Sequence, residues 1–472
     1  MYISFIVKGG AIITDTNDTN DTNDTTVIAV IGGKLQGAEA LYLANKAKMD
    51  TILIDKRENT PGRGLCNEFV LGDVSQPSQE LLDKLKRAHI ILPAFEDSED
   101  LKIFRDIAVK NKMTVAFDFD SYDITSSKLH SNRLMAKLNI PMPEEAMFKH
   151  VSRKDNHVSK KDTTVSKKDT LEGIKYNQPP YIAKPSKASG SLGVTFLKDW
   201  QALEAFLVSK ASLINEDWVI QSFLEGRQYS IEVIGFPGSY KTFEVTELHV
   251  DEHFDCKGVT APCDPHDLPD HRKNELAEIA KTVAQGLGLY GIMDLEAIDH
   301  KGKWKVLEID ARMPSQTPTA VYHATGVNLL TELVTLYGIK QNKAVSKLQD
   351  ELSTLKIEED NEVRAEEIQK YTCYEHVNVK NGNIHFCGEH ILSSCGPLNH
   401  YHNMLGADEI LTDYANYKEV KEVKEIKEVK EVKEIKKIKE IKATIINSAE
   451  SKDELAKKRN KTLKTIKEGF SI

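Results

Sequence analysis

The sequence predicts an α/β protein in which strands and helices alternate and the first sheet is parallel and doubly wound. Thr26 to Ile31 is a strand-like run of apolar residues, and Ala38 to Lys48, after a glycine-rich turn, has the character of a helix. A second strand, Thr51 to Ile54, follows and ends at Asp55. This order of elements is typical of a parallel sheet covered by helices.

The length and composition bound the class of protein. A chain of 472 residues is too long for one core and predicts two or three domains. It has 63 Lys and Arg against 72 Asp and Glu, a net charge of −9 that argues against a nucleic-acid binder. Six cysteines without a Cys-x-x-Cys pair fit reduced thiols in a cytoplasmic protein. We expect neither a membrane span nor a signal peptide.

Three low-complexity segments interrupt the alternating pattern. Asp15 to Asp24 and Val158 to Thr170 are polar repeats without periodicity, which is typical of disorder. Lys418 to Lys442 repeats Lys-Glu-Val/Ile, whose apolar residues drift around a helix, so a solvated helix or a loose loop is predicted. All three are interpreted as insertions into loops.

Further elements complete the pattern. Strands are predicted at Ile90 to Leu92 and at Val115 to Phe117, and a second unit begins near Ser126. A third unit begins near Glu362. Its predicted elements are strands near Tyr371 to Val377 and Ala443 to Ile446 and a closing helix from about Ser451 to Glu468.

A predicted hairpin carries the strongest functional signal. Met293 to Glu296 and Leu307 to Arg312 alternate like strands, with a turn-like Lys-Gly-Lys between them. Glu308 and Asp310 then share a face with Glu296 on the neighbouring strand. Clustered carboxylates repel one another unless a cation sits between them, and Mg²⁺ suits this set because it also takes phosphate oxygens. Arg312 would reach the same phosphates. The alternative is a solvated acidic hairpin.

A glycine- and serine-rich loop follows a predicted strand that delivers Lys184. Successive amides in such a loop can form a phosphate nest, and the lysine adds a positive charge. The residues predicted to contact phosphate are Ser189, Gly190, Ser191 and Gly193. The loop is not of the Walker A type, because the lysine precedes it. An ordinary hairpin loop is the alternative.

Two further segments could meet the same nucleotide. Lys128 stands near the start of a helix that is predicted to run to Leu138. The strand beginning at Trp218 turns at Gly226, and a sheet edge there could hydrogen-bond an adenine through its backbone. The candidate residues are Gln221, Ser222, Phe223, Leu224 and Glu225. The alternatives are a solvated lysine and a core strand without a ligand.

The turn from Gly32 to Gly37 allows three interpretations. It could bind a dinucleotide with Asp55 on the ribose, but its spacing is not Gly-x-Gly-x-x-Gly. It could be a structural turn that needs glycine for close packing. Alternatively, backbone amides at the strand end could line a substrate site. The substrate candidates in this turn are Gly33, Lys34 and Leu35.

Taken in order, these motifs resemble the ATP-grasp superfamily. Within it, the chain is most similar to the pyrrolysine-biosynthesis ligases of methanogenic archaea. The residues that carry this likeness are Ile31 to Gly37, Gly291 to Glu296 and Leu307 to Pro318, the last with Asp310 in place of the usual Asn. The resemblance implies a three-domain fold: an extension at 1–24, an N-terminal α/β domain at 25–125, an ATP-grasp domain at 126–335 with an insert at 151–172, and a C-terminal α+β domain at 336–472 with an insert at 418–442.

The resemblance also implies the chemistry. Such a ligase uses ATP and Mg²⁺ to join 3-methyl-D-ornithine to the side-chain amine of L-lysine, and a homodimer is compatible with the analogy. Glu296, Glu308 and Asp310 would hold Mg²⁺, and the catalytic cations would be Arg312 and Lys184, with Lys128 beside them. Polar candidates for the amino-acid substrate are Ser230, Glu232, Asp294, Ser315 and Gln316.

Three other functions remain open from the sequence. The first is a different ATP-grasp ligase or carboxylase of the biotin-carboxylase and purine-carboxylase branch. The second is a nicotinamide-dependent oxidoreductase built on the first α/β unit, which leaves the acidic hairpin unexplained. The third is a binding or scaffold protein that engages a partner through the Lys-Glu repeat.

Overall fold

The computed structural model describes residues 25–147, 179–210, 218–341, 370–380, 382–414 and 440–470, together with a short ladder between β1 (Val7–Lys8) and β2 (Ala11–Ile12). Asp15 to Asp24, Val158 to Thr170 and residues 418–439 lie outside the described residues. The end of the Lys-Glu repeat, at 440–442, forms part of a strand and not the predicted helix or loop. No helix within the described ranges is long and apolar enough to cross a membrane.

The first sheet is parallel, as predicted, with its strands in the order β5-β4-β3-β6. The strands are β3 (Val27–Ile31), β4 (Asp50–Asp55), β5 (Glu68–Leu71) and β6 (Ile90–Pro93). The helices are α1 (Leu35–Lys46), α2 (Gln79–Lys86) and α3 (Ser98–Lys110). The strand order reverses between β3 and β6, so the carboxyl ends of these strands open a crevice, the usual ligand position in a doubly wound sheet.

Two predicted elements of this unit differ from the structure. Helix α1 begins at Leu35 rather than Ala38, because the turn is already complete at Lys34, whose carbonyl accepts the Ala38 N–H at 2.7 Å. Val115 to Phe117 is not a strand. Val115 makes a single parallel bridge to Ile91. The chain then enters helix α4 (Phe119–Thr125), whose first amides are capped by the Asp118 carboxylate, and this ends the ladder.

The second unit contains a small antiparallel sheet in the order β7-β10-β8-β9. Its elements are α4 (Phe119–Thr125), α5 (Lys128–Lys137), β7 (Glu145–Met147), β8 (Tyr181–Pro185), β9 (Thr195–Leu197), α6 (Trp200–Lys210) and β10 (Trp218–Ser222). The prediction of an edge at β10 is wrong, because β10 pairs with β7 on one side and β8 on the other. Only the chain beyond Ser222 leaves this ladder.

An eleven-stranded sheet forms the rest of the molecule, with the order β16-β15-β11-β13-β14-β17-β21-β20-β19 and β12 and β18 paired beside it. Its strands are β11 (Arg227–Phe236), β12 (Ser239–Thr242), β13 (Thr246–Val250), β14 (Cys256–Ala261), β15 (Gly291–His300), β16 (Lys303–Asp310), β17 (Tyr371–Lys380), β18 (Asn383–Phe386), β19 (Asn399–His402), β20 (Glu409–Thr412) and β21 (Glu440–Ala449). The predicted hairpin is β15 and β16, and the two predicted C-terminal strands lie within β17 and β21.

The described residues of this part of the chain form five helices: α7 (Asp270–Leu287), α8 (Thr317–Thr325), α9 (Leu329–Gln341), α10 (His390–Ser393) and α11 (Lys452–Phe470). Helix α11 is the predicted closing helix. One apolar cluster joins the parts: Leu41 of α1, Val321 of α8 and Tyr374 of β17 are all buried in it. Because this cluster links the first sheet to the large sheet, it fixes the position of the cleft between them.

Candidate active site

Two connected clefts lie between the sheets. The smaller cleft has a volume of about 100 Å³ and lies between the antiparallel four-stranded sheet and the hairpin of β15 and β16. It is called the nucleotide pocket below. Predicted residues that line it are Lys128, Lys184, Ser191, Gln221, Ser222, Phe223, Leu224, Glu296 and Glu308. Glu225 does not line it, and its carbonyl instead lies 2.8 Å from the His300 ring.

The larger cleft, of about 1000 Å³, is called the substrate cavity. It is bounded by the carboxyl ends of the first sheet, the glycine loop, one face of the large sheet and α10. Predicted residues that line it are Lys34, Leu35, Ser189, Gly190, Ser191, Gly193, Ser230, Asp294, Glu296, Glu308, Asp310, Arg312, Ser315 and Gln316. The two clefts share Glu296 and Glu308, so a group bound in one would meet a group bound in the other.

Two rows of polar residues cross the sheet face below these clefts. In one row Glu232 of β11, Asp294 of β15 and Asp310 of β16 lie side by side. In the other row Ser230, Glu296 and Glu308 do the same. Paired residues of neighbouring strands point to the same face, and the two rows are two residues apart along each strand. The alternating pattern therefore places five carboxylates on one patch.

Burial and mutual repulsion perturb these carboxyl groups. Burial, followed by the charges of Glu308 and Asp310, raises the pKa of Glu296 to about 7. Burial also raises the pKa of Asp310 to about 7, although Arg312 opposes the shift. The pKa of Asp294 is raised well above its usual value, again first by burial. A hard divalent cation would offset both the burial of these carboxylates and their mutual repulsion, and the all-oxygen donor set fits Mg²⁺.

Three cationic side chains, those of Lys128, Lys184 and Arg312, surround the carboxylates. Lys128 Nζ donates to Glu308 Oε1 at 2.5 Å and to the Ala188 carbonyl at 2.6 Å. A metal ion that binds Glu308 can therefore use Oε2, or share Oε1 with Lys128. Burial lowers the pKa of Lys184, and the charges of Glu308 and Glu296 act against that decrease. Lys184 is thus a buried ammonium facing the nucleotide pocket, as a phosphate partner should be.

Arg312 forms an ion pair with Glu96, a residue that the sequence reasoning missed. Its Nε lies 3.0 Å from Glu96 Oε1, and its terminal nitrogen donates to Asp310 Oδ2 at 2.9 Å. Burial acts to raise the pKa of Glu96, but Arg312, Ser189 and Gln36 together lower it. Glu96 lies just beyond β6, at the carboxyl end of a parallel strand, and this position is the signal that could have identified it.

The glycine loop is held over the clefts by two serines. Ser189 Oγ donates to Glu96 Oε2 at 2.6 Å, and Ser191 Oγ donates to the Phe254 carbonyl at 2.5 Å. Gly190 and Gly193 have positive φ values of 58° and 78°, which a residue with a side chain rarely adopts. These conformations turn the loop back along β8 and explain why glycine is used there.

Several polar atoms beside the substrate cavity have no protein partner. Among the described residues, neither carboxylate oxygen of Glu232 accepts a hydrogen bond, and the same is true of Asp294 Oδ1 and Gln316 Oε1. Glu232 itself does not line the cavity, since it is fully buried beside Asp294. Burial raises the pKa of Glu232 to about 7. Unpaired buried acids of this kind are costly unless a ligand pairs with them.

The glycine turn has a largely structural geometry. The Gly33 N–H donates to Asp55 Oδ2 at 2.7 Å, and the Gly33 carbonyl accepts from Gly62 at 2.8 Å. Asp55 also accepts three hydrogen bonds from Arg57, so it is fully engaged within the chain and does not present a ribose acceptor. Gly33 does not line the substrate cavity, whereas Lys34 and Leu35 do.

Comparisons with known proteins agree with this geometry. Residues 125–316 match the model of an ATP-grasp domain. The 3-methyl-D-ornithine–L-lysine ligase of Methanosarcina mazei is 31% identical over 393 residues, covering 82% of this chain and 88% of that protein. The Methanosarcina barkeri ligase of the same name is 30% identical over 370 residues, covering 78% and 84%.

Solved structures show the same fold at low identity. The biotin carboxylase domain of the Hydrogenobacter thermophilus 2-oxoglutarate carboxylase, in complex with MgADP, has a TM-score of 0.60 at 14% identity over 93% of this chain and 89% of that one. The N5-carboxyaminoimidazole synthetase of Staphylococcus aureus, complexed with ADP, has a TM-score of 0.57 at 14% identity over 95% and 100%.

Fold, site and matches together define an ATP-grasp enzyme, and the predicted α/β fold and the predicted resemblance to that superfamily are confirmed. The chain belongs to the same family as the Methanosarcina 3-methyl-D-ornithine–L-lysine ligases. It is a carboxylate–amine ligase that forms a carbon–nitrogen bond.

Proposed function

We propose that this chain activates the carboxylate of 3-methyl-D-ornithine with ATP and joins it to the side-chain amine of L-lysine, as the names of its Methanosarcina relatives suggest. The observation that carries the proposal is the unpaired, buried Asp294, with Glu232 beside it, at the edge of the substrate cavity. A diamino acid brings two ammonium groups, and an ammonium placed here would satisfy the acids.

In the first step a substrate carboxylate oxygen attacks the γ-phosphorus of ATP, and the bond from that phosphorus to the ADP oxygen breaks. Lys184 and Lys128 would neutralise the phosphate oxygens from the nucleotide pocket, and Arg312 would do so from the substrate cavity. Glu296, Glu308 and Asp310 would hold Mg²⁺, which supplies charge neutralisation between the phosphates. Gln221, Ser222, Phe223 and Leu224 would surround the adenine.

In the second step the lysine amine attacks the carbonyl carbon of the acyl phosphate, inorganic phosphate leaves, and the nitrogen loses a proton. The backbone at Lys34 and Leu35 would position this amine donor from the first sheet. Ser230, Ser315 and Gln316 would supply the remaining hydrogen bonds to the first amino acid. The loop from Ser189 to Gly193 would exclude water, which would otherwise hydrolyse the acyl phosphate.

The test measures ADP release and product mass with ATP, Mg²⁺, L-lysine and either 3-methyl-D-ornithine or D-ornithine. The proposal predicts one amide per ADP and loss of both signals in Glu308→Gln. A matched control is Glu247→Gln, because Glu247 lies on β13 of the same sheet, forms an ion pair with Arg227 and lines neither cleft. If ATP binds but an amide forms only with another amine acceptor, or a carbamate forms only with bicarbonate, the substrate assignment is wrong and the nucleotide site is retained.

A further inference from the structure

Three potential metal ligands converge on the hairpin of β19 and β20, and none of them lines the nucleotide pocket or the substrate cavity. His400 and His402 are two residues apart on β19, so they share a face, and Glu409 of β20 pairs with His402 across the hairpin. His400 Nε2 lies 2.6 Å from Glu409 Oε2, and His402 Nδ1 lies 3.7 Å from Glu409 Oε1. The three ligand atoms all lie within 4.8 Å of one another.

The carboxylate in this group has further partners, and one of them, the Lys46 ammonium, contacts the same oxygen that His402 approaches. Tyr42 of α1 donates its hydroxyl to Glu409 Oε2 at 2.6 Å, and the Lys46 ammonium contacts Oε1. His323 of α8 in turn lies 2.6 Å from the Tyr42 hydroxyl. Two carboxylate oxygens offer about four lone-pair positions, so these two contacts leave positions open towards β19. Outer partners that orient a ligating carboxylate are a regular feature of metal sites.

We propose that His400, His402 and Glu409 form a site for one divalent transition-metal ion of the zinc type. Two imidazole nitrogens and one carboxylate oxygen suit Zn²⁺ and not Mg²⁺, which prefers oxygen donors alone. The His402 side chain is 58% exposed, so the fourth position is open to water. The ion would replace the hydrogen bond between His400 and Glu409, and His400 would then carry its proton on Nδ1.

The site has a structural consequence because its outer partners come from two helices that are distant from β19 and β20 in the chain. Tyr42 and Lys46 belong to the helix after β3, and His323 belongs to α8 beside the large sheet. A bound ion would fix Glu409, which these side chains contact, and so stabilise the junction between the first sheet and the C-terminal strands. Zinc is therefore expected to raise the melting temperature, by an amount that grows with the logarithm of the free zinc concentration once this exceeds the dissociation constant.

The test titrates the untagged full chain with Zn²⁺ in an excess of Mg²⁺, so that the oxygen-only site is occupied. The wild type is expected to bind one more Zn²⁺ per chain than His402→Ala, whose affinity falls by at least the ~10–100-fold seen for loss of an outer-shell partner. His271→Ala is the matched control, since His271 is an exposed histidine on α7. Zinc X-ray absorption should show imidazole ligands in the wild type.

Two outcomes overturn the proposal. Equal zinc binding by the wild type, His402→Ala and His400→Gln would remove these residues as ligands. Loss of the bound zinc in Glu308→Gln, with retention in His402→Ala, would place the ion at the active-site carboxylates instead. The readout is metal binding and not ligation, so its failure is separate from failure of the proposed amino-acid substrates.

Discussion

Glu232 lies directly opposite Asp294 across strands β11 and β15, and among the described residues neither Glu232 carboxylate oxygen has a fully formed hydrogen bond, although the Thr317 hydroxyl acts to lower the pKa of Glu232. Asp294 reaches the substrate cavity, whereas Glu232 is enclosed behind it. The two acids therefore have separable effects: the outer one on substrate binding, and the inner one chiefly on stability.

Asp294→Asn is expected to weaken binding of the diamino acid because it removes the negative charge that would face an ammonium group. KM for that substrate should rise about 10–100-fold, the effect of losing a charged hydrogen bond, while KM for ATP changes little. Steady-state kinetics with each substrate varied in turn measures both. An equal rise in both constants would show that Asp294 serves the metal and not the amino acid.

Glu232→Gln is expected to stabilise the substrate-free protein. Burial raises the pKa of Glu232 from 4.5 to about 7 in the folded state. Between about pH 4.5 and pH 7, Glu232 is ionised in the unfolded chain but still protonated in the folded chain. The free energy of unfolding of the wild type therefore falls as the pH rises through this range, and Glu232→Gln does not show this decrease. The gain should be near zero at pH 4.5 and about 1–3 kcal/mol at pH 8. Urea unfolding at both pH values measures it, with Glu247→Gln as the control.

Lys184→Met should impair nucleotide binding, since it replaces the buried ammonium of the nucleotide pocket with an apolar chain of similar length. We expect the affinity for ATP to fall about 10–100-fold. Lys187→Met is a close control, because Lys187 is exposed on the same loop and lines neither cleft. Calorimetric titration with ATP and Mg²⁺ compares the two. Similar losses in both variants would indicate a general charge effect.

Glu96→Gln is expected to uncouple ATP use from amide formation. It weakens the bonds to Ser189 and Arg312, so the glycine loop closes less tightly and water reaches the acyl phosphate. The ratio of ADP released to amide formed should rise above one. Glu99→Gln, on the exposed first turn of α3, should leave the ratio unchanged. A slower but fully coupled Glu96→Gln enzyme would contradict this role.

Gly37→Ala should destabilise the fold, although alanine favours helices in general. A Cβ at Gly37 would lie 1.8 Å from the Gly32 carbonyl oxygen, and the backbone there would have to shift. We expect a loss of about 1–3 kcal/mol. Gly338→Ala on α9 is the matched helical control, because its Cβ meets nothing within 4 Å, and it should gain about 0.5–1 kcal/mol. Thermal unfolding of the two variants distinguishes local packing from helix propensity.

Local patterns were sufficient to predict the hairpin of β15 and β16, because the period of two fixes which carboxylates share a face. The same reasoning found β3 and β4, whose apolar runs are buried on both sides. It failed at Val115, where three apolar residues are too few to continue a ladder before Asp118 starts a helix. Local patterns also did not show that β10 lies inside its sheet, because the tertiary fold determines which strands pair with it.

Long-range contacts account for the functional residues that were missed. Glu96 and Arg312 are far apart in the chain, and only the packing of the first sheet against the large sheet brings them together. Glu409 likewise meets Tyr42 and Lys46 through the junction of distant elements. A His-x-His pair is visible in the sequence at 400–402, but its carboxylate partner is defined only by the register of the hairpin.

The continuous ladder from β16 to β19 divides the enzyme into a stationary and a movable surface. The large sheet holds the carboxylates at one end and the C-terminal strands at the other, and backbone hydrogen bonds join all of these strands in one ladder. Among the described strands, the antiparallel sheet of β7, β10, β8 and β9 shares no backbone ladder with the large sheet. The antiparallel sheet could therefore rotate relative to the large sheet to admit ATP and release ADP. Changes in the segments that connect the two sheets could then alter the turnover rate while the carboxylates on the large sheet stay in place.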